Sequence, residues 1–189
     1  MKIGVIGGGQ LGRMLALAGT PLGQQFAFLD PAPDACAQAL GEHIRADYSD
    51  TDHLRQLAEE VDVVTFEFES VPAETVAFLS QFVPVYPNAE SLRIARDRWF
   101  EKSMFQDLGI PTPEFADIQS QDNLDAAVKR IGLPAVMKTR TLGYDGKGQK
   151  VLRHPDDVVD AFAELGSVPC ILEGFVPFTG EVSLVAVRA

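Results

Sequence analysis

The feature that most constrains the fold is a glycine-rich turn close to the amino end of the chain. A short apolar segment around Val5 runs directly into Gly7-Gly8-Gly9-Gln10-Leu11-Gly12, a Gly-x-Gly-x-x-Gly string. Apolar residues then recur at helical spacing, namely Leu11, Met14, Leu15 and Ala18. A strand, a glycine turn and a helix in this order predict a parallel α/β sheet with an anion resting on the helix N-terminus.

An acidic residue follows the second apolar segment and leaves the identity of that anion open. Phe26 to Leu29 is predicted as a strand, and Asp30 ends it. An acid at this point could hold the ribose of NAD, so an NAD-dependent oxidoreductase is one hypothesis. The glycines could equally serve only to bring strand and helix close together.

A buried parallel strand is predicted over 61–69, and its carboxyl end carries Glu67 and Glu69. Strand alternation would put both acids on one face, at the edge where open α/β sheets bind ligands. One of them could accept a hydrogen bond from an amine or hydroxyl of a substrate whose phosphate lies at Gly9 to Gly12. The alternative is a solvated strand end without a ligand.

A second glycine-rich segment predicts a hairpin. The apolar run from Ala135 ends at Lys138, and strand character resumes after a loop that contains Gly143, Gly146 and Gly148. Backbone N–H groups of such a loop can surround phosphate oxygens, and the lysine adds a positive charge. The spacing is not that of a Walker P-loop, and a flexible hairpin without a ligand is the alternative.

Charge and composition limit the class of protein. The 189 residues include 27 acidic and 16 basic ones, for a net charge of −11, which disfavours a nucleic-acid partner. The sequence has no apolar run of membrane-spanning length and no signal-peptide pattern, so a cytoplasmic protein is expected. Two prolines in 110–113 predict a linker. Helices are expected over 34–40, 74–79 (capped by Ser70) and 155–165, and a strand over 180–189.

Several motifs together resemble the ATP-grasp family of 5-(carboxyamino)imidazole ribonucleotide synthetases, also called ATPase subunits of phosphoribosylaminoimidazole carboxylase. The motifs are Gly7 to Met14, Asp97-Arg98, Lys138 with Gly143-Tyr144-Asp145-Gly146-Lys147-Gly148-Gln149, and Gly180-Glu181-Val182-Ser183. The resemblance implies an α/β fold: a Rossmann-like pre-ATP-grasp domain over 1–110, an ATP-grasp small lobe with a glycine-rich lid over 111–168, and the first strands of the C-terminal lobe over 169–189.

The resemblance also implies an activity, that of an ATP-grasp carbon–nitrogen ligase. ATP would phosphorylate bicarbonate to carboxyphosphate, which would deliver carbon dioxide to the amine of 5-aminoimidazole ribonucleotide in purine biosynthesis. Tyr144 and Lys138 would be catalytic. The implied ATP ligands are Arg98, Lys138, Gly143, Tyr144, Asp145, Gly146, Lys147, Gly148, Gln149, Glu173, Gly174, Phe175, Val176 and Glu181. The implied substrate ligands are Gly9, Gln10, Leu11, Gly12, Glu67 and Glu69.

Members of the family are longer, bind Mg²⁺ on carboxylates of the C-terminal lobe, and are commonly homodimers. The resemblance therefore implies no metal ligands within these 189 residues, and an isolated fragment of this length is expected to be inactive. A non-catalytic nucleotide-binding fragment is the third hypothesis, beside the ligase and the oxidoreductase.

Overall fold

The computed structural model describes residues 1–143 and 147–186. The chain divides into two compact units, Met1–Glu101 and Lys102–Ala189. Each unit has its own four-stranded sheet, in the order β3-β2-β1-β4 and β5-β8-β6-β7. The strands are β1 Lys2–Ile6, β2 Gln25–Leu29, β3 Glu42–Ile44, β4 Val63–Phe66, β5 Phe115–Ile118, β6 Ala135–Thr139, β7 Gln149–Leu152 and β8 Cys170–Gly174. The helices are α1 Gln10–Gly19, α2 Thr51–Glu60, α3 Ala73–Leu79, α4 Ala89–Ala95, α5 Arg98–Asp107, α6 Gln121–Ile131 and α7 Ala161–Glu164.

The sheet of the first unit is parallel throughout, as the glycine turn predicts. β1 pairs with β2 on one side and β4 on the other, and β2 pairs with β3. The core on this sheet consists of aliphatic side chains such as Leu29, Leu57 and Val64, each fully buried. Because the strand order reverses between β1 and β4, the carboxyl ends of these two strands form a topological switch point, where sheets of this type bind ligands.

Helix α1 packs against the sheet by a different face from the one its apolar spacing suggests. Gly12 and Ala16 are its buried residues, whereas the side chains of Leu11 and Met14 are 55% and 60% exposed. Small residues on the inner face allow close approach of helix and strand, which is the role expected of the third glycine of the fingerprint. The apolar spacing alone does not distinguish these two faces.

The sheet of the second unit is antiparallel, with β8 between β5 and β6. The expected hairpin is present: β6 and β7 pair from Ala135↔Leu152 to Lys138↔Gln149. Helix α6 begins at a capped end, where the Ser120 hydroxyl accepts a hydrogen bond from the Asn123 N–H. Its buried Leu124 packs with Met137 and Leu172 in the core of this unit.

Other expected elements are shorter or absent. The helix expected over 34–40 is only a 3-10 turn at Gln38–Leu40, because the Ala37 N–H donates to the Gly8 carbonyl instead of forming a helical bond. The helix over 155–165 is broken at Asp160, whose φ of +59° is left-handed. The short helix α3 begins after Pro72, without the expected serine cap. Strand β3 was not predicted.

Two expected strands also differ in extent. The strand expected over 61–69 ends at Phe66, so Glu67 and Glu69 lie in the turn beyond it and strand alternation does not govern them. Residues 180–186 form no strand. In that segment Val182, Leu184 and Val185 are 101%, 89% and 95% exposed, and no described strand pairs with them, so the backbone lacks the ladder that a strand requires.

Candidate active site

The glycine turn holds a carboxylate of the protein itself. Glu67 follows β4 at the switch point, and its Oε1 accepts a hydrogen bond of 2.7 Å from the Gly9 N–H. Its Oε2 accepts a second bond from the Gly12 N–H. Two N–H groups at the start of α1 are thus satisfied by a negative charge, as the helix dipole favours. Glu67 lies where sequence reasoning placed a phosphate.

The glycines of the fingerprint are required to admit that side chain. A Cβ on Gly7 would lie 2.6 Å from the Glu67 Cγ, and one on Gly9 would lie 2.7 Å from its Oε1. Gly7 also has a φ of +103°, which L-residues rarely adopt. The turn is therefore shaped around the carboxylate, a partnership that glycine spacing alone does not reveal.

The Asp30 carboxylate is bonded within the protein, so it no longer supports the NAD hypothesis. The side chain is buried, and its Oδ2 accepts hydrogen bonds from the Gly8 N–H at 2.7 Å and the Tyr48 hydroxyl at 3.0 Å. Its Oδ1 accepts a third bond from the Ala32 N–H. Burial, and then the bond to Asp30, raise the pKa of the Tyr48 hydroxyl far above its usual value. A carboxylate with these three partners is not free to hold a ribose.

A pocket of about 300 Å³ lies beside Glu67 in the first unit. This is at the lower end of the range for small-molecule sites. Its lining residues are Phe66, Glu67, Phe68, Glu69, Pro87, Ser91, Leu92 and Ala95. The pocket brings both predicted acids to one cavity, Glu67 half-buried and Glu69 exposed. Gln10 and Leu11 are exposed in the first turn of α1.

In the second unit, the structure brings Lys138 together with Glu173. The strand register pairs Lys138 with Ile171 and Val136 with Glu173, so the two charged residues are diagonal neighbours on one face of the sheet. The Lys138 Nζ lies 3.1 Å from the Glu173 Oε2. A second lysine, Lys102 of α5, lies 3.4 Å from the same oxygen. Lys102 is not among the predicted site residues, because nothing in the sequence links this helix residue to a distant strand.

The glycine loop begins and ends at the hairpin. The Gly148 carbonyl accepts a hydrogen bond of 2.8 Å from the Thr139 N–H. Gly148 has a φ of +69°. A Cβ on Gly148 would lie 2.7 Å from the Thr139 Oγ1, so glycine is required here on two counts. Gly143 and Lys147 are in the loop, and Gln149 begins β7. Tyr144, Asp145 and Gly146 lie outside the described residues.

The remaining predicted ATP ligands occupy three places. Arg98 is the first residue of α5. Gly174 ends β8, and the following Phe175 donates its N–H to the Pro134 carbonyl at 3.2 Å. The Arg153 guanidinium lies 5.4 Å from the Phe175 ring centroid, a cation–π contact. Val176 and Glu181 are exposed in the segment that follows.

Comparison with known proteins identifies the two units. Residues 1–96 match the family model of the ribonucleotide synthetase preATP-grasp domain. The chain belongs to this family. Residues 103–189 match the model of the ATP-grasp domain, so the parallel sheet belongs to the pre-ATP-grasp part and the antiparallel sheet to the ATP-grasp part. The predicted fold class is confirmed.

Several relatives of this chain share one name, N5-carboxyaminoimidazole ribonucleotide synthase or synthetase. The figures below compare this chain with two of them. The chain is 88% identical over 189 residues to the N5-carboxyaminoimidazole ribonucleotide synthase of Pseudomonas aeruginosa, covering 100% of this chain and 52% of that protein. The crystal structure of the synthetase from Thermus thermophilus matches with a TM-score of 0.85 and 47% identity, over 94% of this chain and 48% of that one. The chain spans about half the length of the curated relatives that it matches.

A third relative is described with its ligands. The Aspergillus clavatus N5-carboxyaminoimidazole synthase in complex with ADP and 5-aminoimidazole ribonucleotide matches with a TM-score of 0.83 and 27% identity, over 94% of this chain and 47% of that one.

No group of three or more His, Cys, Asp or Glu side chains within 1–143 and 147–186 could hold a metal ion. In the same ranges, no helix is both long and apolar enough to cross a membrane.

Proposed function

We propose that the full-length protein is an ATP-grasp ligase that carboxylates the amine of 5-aminoimidazole ribonucleotide in purine biosynthesis. The observation that carries the proposal is the 88% identity, over all 189 residues, to a protein named for this activity. The ADP and aminoimidazole ribonucleotide described in the A. clavatus complex support the same substrates. The proposal includes a cytoplasmic location and a homodimer at full length.

The proposed reaction has three steps. A bicarbonate oxygen attacks the γ-phosphorus of ATP. The new bond gives carboxyphosphate, and ADP is the leaving group. Carboxyphosphate breaks into carbon dioxide and phosphate. The substrate amine attacks the carbon dioxide and loses a proton, which gives the N-carboxy product. Phosphoryl transfer of this kind depends on positioning and charge neutralisation, so lysines, arginines and backbone N–H groups are the expected protein groups.

Most of the residues proposed to bind ATP lie in the second unit, and Arg98 belongs to the first. Lys138 has its ammonium beside a glycine hairpin, and Lys102 with Glu173 completes a cluster of net charge +1. We propose that Arg98, Lys138 and residues 143–149 contact the phosphates, that residues 173–176 line the adenine, and that Glu181 holds the ribose hydroxyls. Tyr144 is proposed to lie near the reacting atoms.

The residues proposed to bind the nucleotide substrate lie in the first unit. Gly9, Gln10, Leu11 and Gly12 are proposed as the phosphate end, and Glu67 with Glu69 as the amine end. Because the N–H groups of Gly9 and Gly12 already donate to Glu67, the exposed first-turn residues Gln10 and Leu11 are the better placed for phosphate. The pocket next to Glu67 supports a substrate at this edge of the sheet.

The proposed functional division of the chain is 1–110, 111–168 and 169–189. Magnesium is proposed to accompany ATP, with ligands beyond Ala189, as the family resemblance implies.

The test is phosphate release by the purified full-length protein. Release should require ATP, bicarbonate and 5-aminoimidazole ribonucleotide together, and the variant Lys138→Met should lose most of it. The matched variant Lys129→Met, which removes the same charge from the exposed face of α6, should retain it. ATP hydrolysis that proceeds equally without the aminoimidazole nucleotide would contradict the proposal.

A further inference from the structure

Lys102, Lys138 and Glu173 form a charge cluster in which the glutamate is more buried than the lysines. Glu173 is nearly buried, with 7% of its side chain exposed, while the side chains of Lys102 and Lys138 are 17% and 27% exposed. Both ammonium groups approach the same carboxylate oxygen, Oε2, at 3.4 and 3.1 Å. A buried carboxylate requires compensation by charge or hydrogen bonds, and here Oε2 receives both lysines.

The other carboxylate oxygen receives nothing from the described residues. The Glu173 Oε1 is buried and accepts no hydrogen bond from any residue within 1–143 or 147–186. The electrostatic demand of the buried carboxylate therefore falls on the two ammonium groups at Oε2. If one lysine is removed, the other must satisfy that demand alone.

We infer that Lys102 is a positioning residue that acts on Lys138 through Glu173. By sharing the Glu173 carboxylate, Lys102 prevents the complete pairing of Lys138 with it, and the cluster keeps a net charge of +1. That charge is available to an anionic group beside the hairpin. Lys102 is not required to touch ATP for this role. The inference rests on the proposed function, because the anion in question is the triphosphate.

The geometry explains why a second lysine is needed. Lys138 and Glu173 are diagonal neighbours on adjacent strands, so their contact is set by the sheet itself. In isolation such a buried pair is neutral, and a close carboxylate competes with phosphate oxygens for the same ammonium. Lys102 comes from α5 and not from the sheet, so it weakens this competition without changing the strand register.

The experiment compares five full-length variants by their KM for ATP, their KM for the aminoimidazole nucleotide and their kcat. We expect Lys102→Met to raise the KM for ATP about tenfold, as loss of one partner of a partly buried charge cluster predicts. The KM for the second substrate should not change. Lys102→Arg, which keeps the charge, should restore most of the ATP affinity. The control Lys129→Met removes an exposed helical lysine and should match the wild type.

A double variant separates positioning from loss of structure. In Lys102→Met/Glu173→Gln the carboxylate that Lys102 shares has been neutralised, so no buried charge is left with a single partner. If Lys102 acts only through Glu173, the KM for ATP of the double variant should lie within about twofold of that of Glu173→Gln alone. This comparison remains informative if Lys102→Met alone does not fold.

The outcomes distinguish the inference from the function on which it rests. A wild-type enzyme without ATP-dependent turnover would refute the proposed function. An active wild type whose Lys102→Met variant keeps the normal KM for ATP would refute only the inference. A tenfold rise in the double variant over Glu173→Gln would also refute it, because Lys102 would then act without Glu173.

Discussion

Neutralising Glu67 tests whether the protein's own carboxylate stabilises the glycine turn. In Glu67→Gln the amide oxygen can keep one of the two hydrogen bonds, while the amide NH₂ faces the other backbone N–H. Hydrogen bonds to charged groups contribute about 1.5–3 kcal/mol each, and a charge at a helix N-terminus adds roughly 0.5 kcal/mol. Because Glu67 is half-buried, the lower values apply, and the expected loss is about 2 kcal/mol.

The assay is urea unfolding at neutral pH, followed by far-UV circular dichroism. With a urea dependence of about 2 kcal/mol per molar, the midpoint should fall by about 1 M. Glu69→Gln is the matched control, since Glu69 is exposed two residues along the same turn, and its effect should stay within about 0.5 kcal/mol. Equal midpoints for wild type and Glu67→Gln, or equal losses in both variants, would refute the reasoning.

Three further outcomes follow from buried groups. Asp30→Asn should cost about 1–3 kcal/mol, because the amide cannot accept all of the bonds from Gly8, Ala32 and Tyr48; thermal unfolding measures this, and a neutral effect would contradict the bonding described. Burial raises the pKa of Tyr48 above the ordinary value of 10.0, so the folded state retains a proton that the unfolded state loses; stability should fall as the pH rises above about 10, and less steeply in Tyr48→Phe. Burial, with the nearby Asp117 charge, raises the pKa of the Cys170 thiol to about 11. A thiol reagent at pH 8 should therefore label exposed Cys36 and react with Cys170 only after unfolding. Rapid labelling of the folded Cys36→Ser variant would contradict this.

Local patterns predicted the framework of both units. The run from Ile3 through Gly12 specifies a strand, a turn and a helix because glycine spacing and helical periodicity act within one continuous segment. The hairpin of β6 and β7 is local for the same reason. The family resemblance, carried by the motifs at Gly7 to Met14 and Gly143 to Gln149, was confirmed by the family models.

What the sequence could not provide were contacts between distant segments. Glu67 was expected to face a substrate, and its bonds to Gly9 and Gly12 depend on how β4 lies beside β1. Lys102 joins Glu173 through the packing of a helix, which no periodicity encodes. Asp30 resembled a ribose ligand until the structure placed Tyr48 against it. In each case the sequence shows only the adjacent residues, whereas the partner of the side chain is distant along the chain.

The carboxylate within the glycine turn affects how this fingerprint should be interpreted in other proteins. Here Gly7, Gly9 and Gly12 leave room for Glu67, so the glycine spacing has a structural reason that does not involve a dinucleotide. An acid just beyond the neighbouring parallel strand could therefore serve as a warning sign when a newly determined genome is searched for nicotinamide-dependent enzymes. In this chain that position is Glu67, whose carboxylate takes the Gly9 and Gly12 N–H groups that a dinucleotide phosphate would need.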